Sequence, residues 1–333
     1  MSKPTVISTF SGPGGSSLGY ERAGYDVRVA LDNAPNKFSN TIPETYRRNH
    51  SETIFLEQDA RNTTRQELLD AADLEVGELD ILDGSPPCSP FSSSNTQKAW
   101  GDHESGTLFD RYVYFVDELQ PRVFIAENVP DLAQGKTKGY YKQLCENLRD
   151  AGPGYNLTVQ KIDAAYLGAA HHRRRLIFIG IRNDIGTPPT IEPTQRPTTV
   201  REAWEGLDRD PDAIERVKKR LERSDNYENY CKMAPGQSLD DIVDGAYGFT
   251  HHRLSYRKPA PTIPSGGGSS NVILPPDEDR WVTIDELKRL IGVPDCFELP
   301  NNYNSAFECT VRCLPPVLLE TIAERLQDGV LKD

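Results

Sequence analysis

From Thr5 to Ile181, short apolar runs alternate with polar stretches whose apolar residues recur every three or four positions. Residues 5–10, 27–31, 53–56, 79–82, 122–126, 157–162 and 176–181 read as strands. Residues 17–23, 65–72, 108–119 and 140–149 read as helices between them. That alternation predicts an α/β fold with a largely parallel sheet. After Arg182 the pattern stops, and Pro188, Pro189, Pro193 and Pro197 mark a connection. Residues 183–300 read as a second, smaller domain with a charged helix at 212–224. A last helix at 315–327 sets Leu318, Leu319, Ile322, Ala323 and Leu326 on one face.

Composition narrows the picture in three ways. No run of 18 apolar residues occurs, so a membrane partner is not expected. The opening Met1-Ser2-Lys3-Pro4 leads straight into a strand and reads as having no signal peptide. The six cysteines are scattered without metal-ligand spacing. They read as reduced thiols, which implies a cytoplasmic protein with no metal site. The formal net charge of −12 counts against a polyanionic partner unless a local basic face exists.

Six places along the chain carry candidate chemistry. The first strand ends in Phe10-Ser11-Gly12-Pro13-Gly14-Gly15, where glycines let a ligand approach the backbone ahead of a helix. Asp32 ends the second strand and suits a ribose diol. The spacing departs from Gly-x-Gly-x-x-Gly, which favours a single nucleoside such as S-adenosylmethionine over a dinucleotide. Asp59 follows the third strand and reads either as an acceptor for an adenine amino group or as a surface aspartate. Cys88 follows Gly84-Ser85-Pro86-Pro87 at the end of an apolar strand. The prolines stop that strand and present one thiol as a candidate nucleophile. Glu127 ends the apolar run Val123-Phe124-Ile125-Ala126 and suits proton sharing with a base edge. Arg173 and Arg175 fall on one face of the last strand, where two guanidiniums suit a phosphate or a carbonyl oxygen.

Taken in order, these segments resemble the DNA (cytosine-5)-methyltransferase family, and the likeness covers nearly the whole chain. Residues 10–15 are similar to its cofactor loop, Pro86-Pro87-Cys88 to its nucleophile motif, and Glu127-Asn128-Val129 to its Glu-Asn-Val. His171-His172-Arg173-Arg174-Arg175 resembles its Gln-x-Arg-x-Arg. Pro259-Ala260-Pro261-Thr262 and the stretch from Arg280 to Asp295 resemble the region after its target-recognition domain. Leu314-Pro315-Pro316 resembles its last motif.

The resemblance implies an S-adenosylmethionine-dependent methyltransferase (Rossmann-like) catalytic domain at 1–182 and a small target-recognition domain at 183–300. Residues 301–333 are expected to return to the catalytic domain. It assigns catalysis to Cys88, Glu127, Arg173 and Arg175. It assigns cofactor contacts to Phe10, Gly12, Gly14, Gly15, Asp32, Asn33, Asp59, Ala60, Pro87, Leu108, Arg312 and Cys313. Double-stranded DNA is the implied partner, gripped by Lys98, Arg173, Arg175, Arg253, Arg257 and Lys258. The family reading implies a monomer and leaves room for a cognate restriction endonuclease.

Three positions depart from the family. Ser89 stands where it has Gln after the cysteine, and His171 where it has Gln before the arginines. Arg312 stands where it has Asn beside the methionine part of the cofactor. A permanent cation there opens an alternative, transfer from carboxy-S-adenosylmethionine to give 5-carboxymethylcytosine. A catalytically silent DNA-binding homologue is the third reading.

Overall fold

The computed structural model describes residues 3–33, 41–87, 106–244, 250–265 and 271–331. Cys88, Ser89 and Lys98 lie outside the described residues. The chain divides into two units, one of residues 1–162, 174–192 and 318–333, the other of residues 163–173 and 193–317.

The first unit runs β1 (Thr5–Thr9), α1 (Gly15–Arg22), β2 (Asp26–Asp32), α2 (Thr41–Asn49), β3 (Ile54–Glu57), α3 (Arg65–Ala72), β4 (Ile81–Gly84), α4 (Gly106–Leu119), β5 (Val123–Asn128), α5 (Lys138–Asp150), β6 (Tyr155–Asp163) and β7 (Arg174–Arg182). The sheet order is β3-β2-β1-β4-β5-β7-β6. Strands β1 to β5 pair parallel with one another. Strands β1 and β4 are buried at every position, which is why their sequences show no apolar–polar alternation. Ile7, Leu82 and Phe124 from the strands meet Leu68, Phe115 and Leu148 from the helices in one core. Helix α3 begins where Thr64 and Glu67 form a reciprocal capping box.

Strand β7 runs against β5, pairing Glu127 with Ile177 and Asn128 with Leu176. This pairing departs from the parallel expectation. The C-terminal helix α11 (Pro316–Gly329) is held to the first unit through Tyr25, whose hydroxyl donates to the Ala323 carbonyl at 2.8 Å.

The second unit carries α6 (Val200–Ala203), α7 (Pro211–Glu222), α8 (Tyr227–Lys232), β8 (His252–Arg253), β9 (Ile273–Leu274), α9 (Ile284–Ile291) and α10 (Tyr303–Arg312). Its core gathers Val217, Leu221, Tyr230, Leu274 and Trp281. The segment 163–173 belongs here because its hydrogen bonds do. The His172 amide donates to the Ala260 carbonyl at 2.9 Å, and the Arg173 Nη1 to the Val311 carbonyl at 2.9 Å. Residues 193–317, helix α10 among them, belong to this unit. No described helix is long and apolar enough to cross a membrane.

The expected basic face loses two members. Arg253 is 4% exposed and donates to the carbonyls of Tyr230, Pro275 and Glu278 and to the Asp279 carboxylate. Arg173 is also buried. Both guanidiniums satisfy internal oxygens, while Arg257 and Lys258 are exposed.

Candidate active site

Parallel pairing of β1 to β5 puts their carboxyl ends on one edge of the sheet. The strand order reverses at β1 and β4, and in open α/β sheets ligands bind at such a point. The candidate residues of the first unit line that edge.

At the end of β1 the backbone turns left-handed three times, at Phe10 (φ 53°), Gly12 (φ 55°) and Gly14 (φ 102°). A bulky residue at positive φ is strained and persists only where its surroundings force it. A Cβ on Gly14 would lie 2.2 Å from His50 Nε2, so no side chain fits there. A Cβ on Gly12 would meet nothing within 4 Å, so the turn opens onto free space. The Gly12 amide donates to Asp32 Oδ2 at 2.8 Å, tying the turn to the end of β2.

Asn33 and Asp59 meet at the ends of β2 and β3. Asp59 takes the Arg61 guanidinium at 2.6 Å and also a hydrogen bond from Asn33. The Arg61 bond, chief among these contacts, holds its carboxyl below the usual range. Ala60 is buried, and its carbonyl accepts Arg111 Nε of α4 at 2.7 Å. Leu108 is half-buried near the start of α4. This cluster of a glycine turn, a strand-end aspartate and a second carboxyl suits an adenosine-bearing cofactor.

The turn that leads to Cys88 is braced from both neighbouring strands. Thr9 Oγ1 donates to the Asp83 carbonyl at 3.0 Å, and the Ser85 amide to the Thr9 carbonyl at 3.3 Å. Asn128, 3% exposed, donates from Nδ2 to the Pro86 carbonyl at 3.1 Å. Pro86 is buried and Pro87 exposed, one residue before Cys88. A Cβ on Gly84 would fall 2.4 Å from the Tyr112 ring, so β4 can approach α4 only as glycine.

Glu127 and Arg175 form an ion pair with side chains 14% and 13% exposed. The β5–β7 register makes them diagonal neighbours on one sheet face, within reach of long side chains. Of the two arginines expected together, only Arg175 is brought to Glu127. Arg173 is in the other unit, with Nη1 bound to a carbonyl. Arg312 and Cys313 are also in the second unit. Arg312 Nε donates to Glu308 Oε1 at 2.7 Å within α10, and Cys313 is buried.

Two residues without a predicted role stand out. Asn128 lies inside the Glu-Asn-Val run but its grip on Pro86 needs the fold. Asp83 sits in the middle of a buried strand, 3% exposed. Its only sequence signal is a charge inside an apolar run. Ser8 Oγ donates to Oδ2 at 2.9 Å, Tyr20 OH to Oδ1 at 3.2 Å, and Ser16 adds a third hydroxyl. Burial pushes the Asp83 carboxyl from its ordinary 3.8 up to about 6, with the Glu127 charge adding and the hydroxyls opposing.

A raised carboxyl pKa means that the folded state keeps a proton the unfolded chain has released. Its stabilisation, about 3 kcal/mol, is complete below pH 3.8 and is lost as pH rises through about 6. Wild type should therefore lose about 2 kcal/mol relative to Asp83→Asn between pH 4.5 and 7.5. Urea unfolding of the ligand-free proteins at both pH values measures it, and parallel pH profiles would refute it.

The doubly wound sheet and its switch-point edge define a Rossmann-like fold of the S-adenosylmethionine-dependent methyltransferase type. The chain belongs to the C-5 cytosine-specific DNA methylase family, whose sequence profile matches residues 4–328. It is 26% identical to the Type II methyltransferase M.NgoPII of Neisseria gonorrhoeae over 97% of this chain and 95% of that protein. It is also 26% identical to the Type II methyltransferase M.XorII of Xanthomonas oryzae, over 100% and 86% of the two chains. A crystal structure described as a DNA modification methyltransferase encoded within an E. coli prophage superimposes with a TM-score of 0.77 at 22% identity, covering 98% and 99%. Spodoptera frugiperda DNMT2 gives 0.66 at 13%, with the same coverage.

Proposed function

We propose that this protein is a DNA cytosine carbon-5 methyltransferase that uses S-adenosylmethionine. The observation that carries the reading is the Glu127–Arg175 pair at one strand end, beside an Asn128 that braces the turn leading to Cys88. A target cytosine leaves the base stack to reach such a pocket. The Cys88 thiolate adds to carbon 6 of the ring. Glu127 holds and protonates ring nitrogen 3, and Arg175 binds the carbonyl oxygen, so charge arriving on the ring is neutralised. Carbon 5 then becomes nucleophilic. The cofactor, when bound, supplies an electrophilic methyl group. Loss of the carbon-5 proton and elimination of Cys88 restore the aromatic ring and the thiolate.

Residues 10–15, Asp32, Asn33, Asp59, Ala60 and Leu108 would hold the cofactor. The relatives' Type II names support a restriction-modification setting, and the proposal includes a cognate endonuclease as partner and an enzyme acting as a monomer. The carboxymethyl reading loses its main support, because the Arg312 cation already has the buried Glu308 carboxylate in its own helix. The pairing of Glu127 with Arg175 speaks against a silent homologue.

Nucleoside mass spectrometry of unmodified DNA incubated with both donors in competition tests the proposal. 5-Methylcytosine is the expected product. 5-Carboxymethylcytosine as the major product would overturn the donor assignment, and unmodified DNA would overturn catalysis.

A further inference from the structure

Asp83 joins the two halves of the candidate site. It stands on β4, the strand that leads to Pro86-Pro87-Cys88. Its carboxylate is held by Ser8 on β1, just before the glycine turn, and by Ser16 and Tyr20 on α1, just after it. The groups facing it from the packed elements are Tyr20 on α1, Tyr46 on α2, Tyr112 on α4 and Glu127 on β5. None of these is a cation, and the Arg175 guanidinium beside Glu127 is paired with it. Among the described residues Asp83 forms no salt bridge.

A buried carboxylate without a counter-cation is costly to ionise. Hydroxyls alone reduce the cost without removing it. A cation that binds beside this edge removes more of it, and a neutral ligand does not. The two ligands of the proposed reaction differ in this respect. S-adenosylmethionine carries a sulfonium charge, whereas S-adenosylhomocysteine, the thioether left after transfer, lacks it. Their amino and carboxyl groups are the same.

We propose that Asp83 is a specificity-determining anion that makes this site prefer the cationic donor over its neutral product. It acts through its field, without touching the ligand. The inference rests on the cofactor assignment made above. Donor binding and Asp83 deprotonation are then coupled, each favouring the other. Between pH 5 and 7.5 the preference for donor over product grows as Asp83 ionises. The growth should be about fivefold, the order expected of one pair of unit charges in a partly screened site.

His50 also lies near the turn, against Gly14. It is paired with Glu21 at 2.8 Å and stacked on Tyr46.

Isothermal titration of the full-length, ligand-free protein with each compound, at pH 5 and at pH 7.5, gives the four dissociation constants. In the wild type the product-to-donor ratio of dissociation constants should rise about fivefold across that interval. In Asp83→Asn, which keeps a hydrogen-bond acceptor, the ratio should stay constant. Ser8→Ala removes one hydroxyl that favours the ionised form, so it should move the midpoint of the rise to higher pH. A flat wild-type ratio with both ligands bound would overturn the proposal. So would a rise that survives unchanged in Asp83→Asn, or a Ser8→Ala midpoint that moves to lower pH. If neither ligand binds at either pH, the cofactor assignment itself fails. Should Asp83→Asn not fold, the wild-type ratio and the Ser8→Ala midpoint decide alone.

Discussion

Glu127→Gln is expected to lower the rate of methyl transfer by about 10²–10⁴-fold, the usual contribution of a positioned proton donor. The side chain keeps its shape and its hydrogen-bonding reach but can no longer deliver a proton to ring nitrogen 3. Arg175 is left at the same sheet edge with its carboxylate partner gone. Charge developing on the ring after Cys88 attack is then countered at the carbonyl oxygen only. The loss should fall on kcat, while the KM for DNA changes little, because the missing interaction belongs to the transition state. Single-turnover transfer of a radiolabelled methyl group to unmodified DNA measures it. Retention of more than a third of the wild-type rate would remove Glu127 from the chemistry.

Arg280→Met is expected to cost about 3–5 kcal/mol of stability, the penalty for breaking a buried charge network. Arg280 is 2% exposed and Glu286 1% exposed. The Arg280 guanidinium donates to both Glu286 oxygens at 2.7 Å and to Glu278 at 2.7 and 3.0 Å. Glu286 also accepts the Thr283 amide at 2.8 Å, closing the capping box that starts α9. Removing the guanidinium leaves a buried carboxylate with Arg209 3.6 Å away as its nearest cation. The second unit should therefore unfold at lower urea than the wild type. A midpoint shift equivalent to less than about 1 kcal/mol would show that Arg209 and Thr283 suffice.

Much of the first unit was legible because its strands are buried on both faces and its helices are amphipathic. Residues 65–72 were placed to the residue, since Thr64 and Glu67 form a capping box around an apolar stripe. Helix α2 was not, because Thr41-Ile42-Pro43-Glu44-Thr45-Tyr46 carries few apolar residues and its burial depends on β3 and α1. Glycines at 12 and 14 announced a turn that only small residues can make. The pairing of Glu127 with Arg175 was not visible, because they lie on strands whose antiparallel register is set by the sheet. Arg173 and Arg253 read as surface cations, yet their oxygens come from far along the chain, Val311 in one case and Pro275 to Asp279 in the other.

The sequence alone determined the class of fold, the family, and which residue types stand at strand ends. Those follow from local properties: apolar runs, glycine and proline positions, and the order of short motifs. The tertiary structure decided which charges meet. It joined Glu127 to Arg175, gave Arg312 to Glu308, withdrew Arg173 and Arg253 from the surface, and enclosed Asp83 among hydroxyls. A charge's partner, and the solvent it loses, depend on residues distant in sequence, and only folding brings these within a few ångströms.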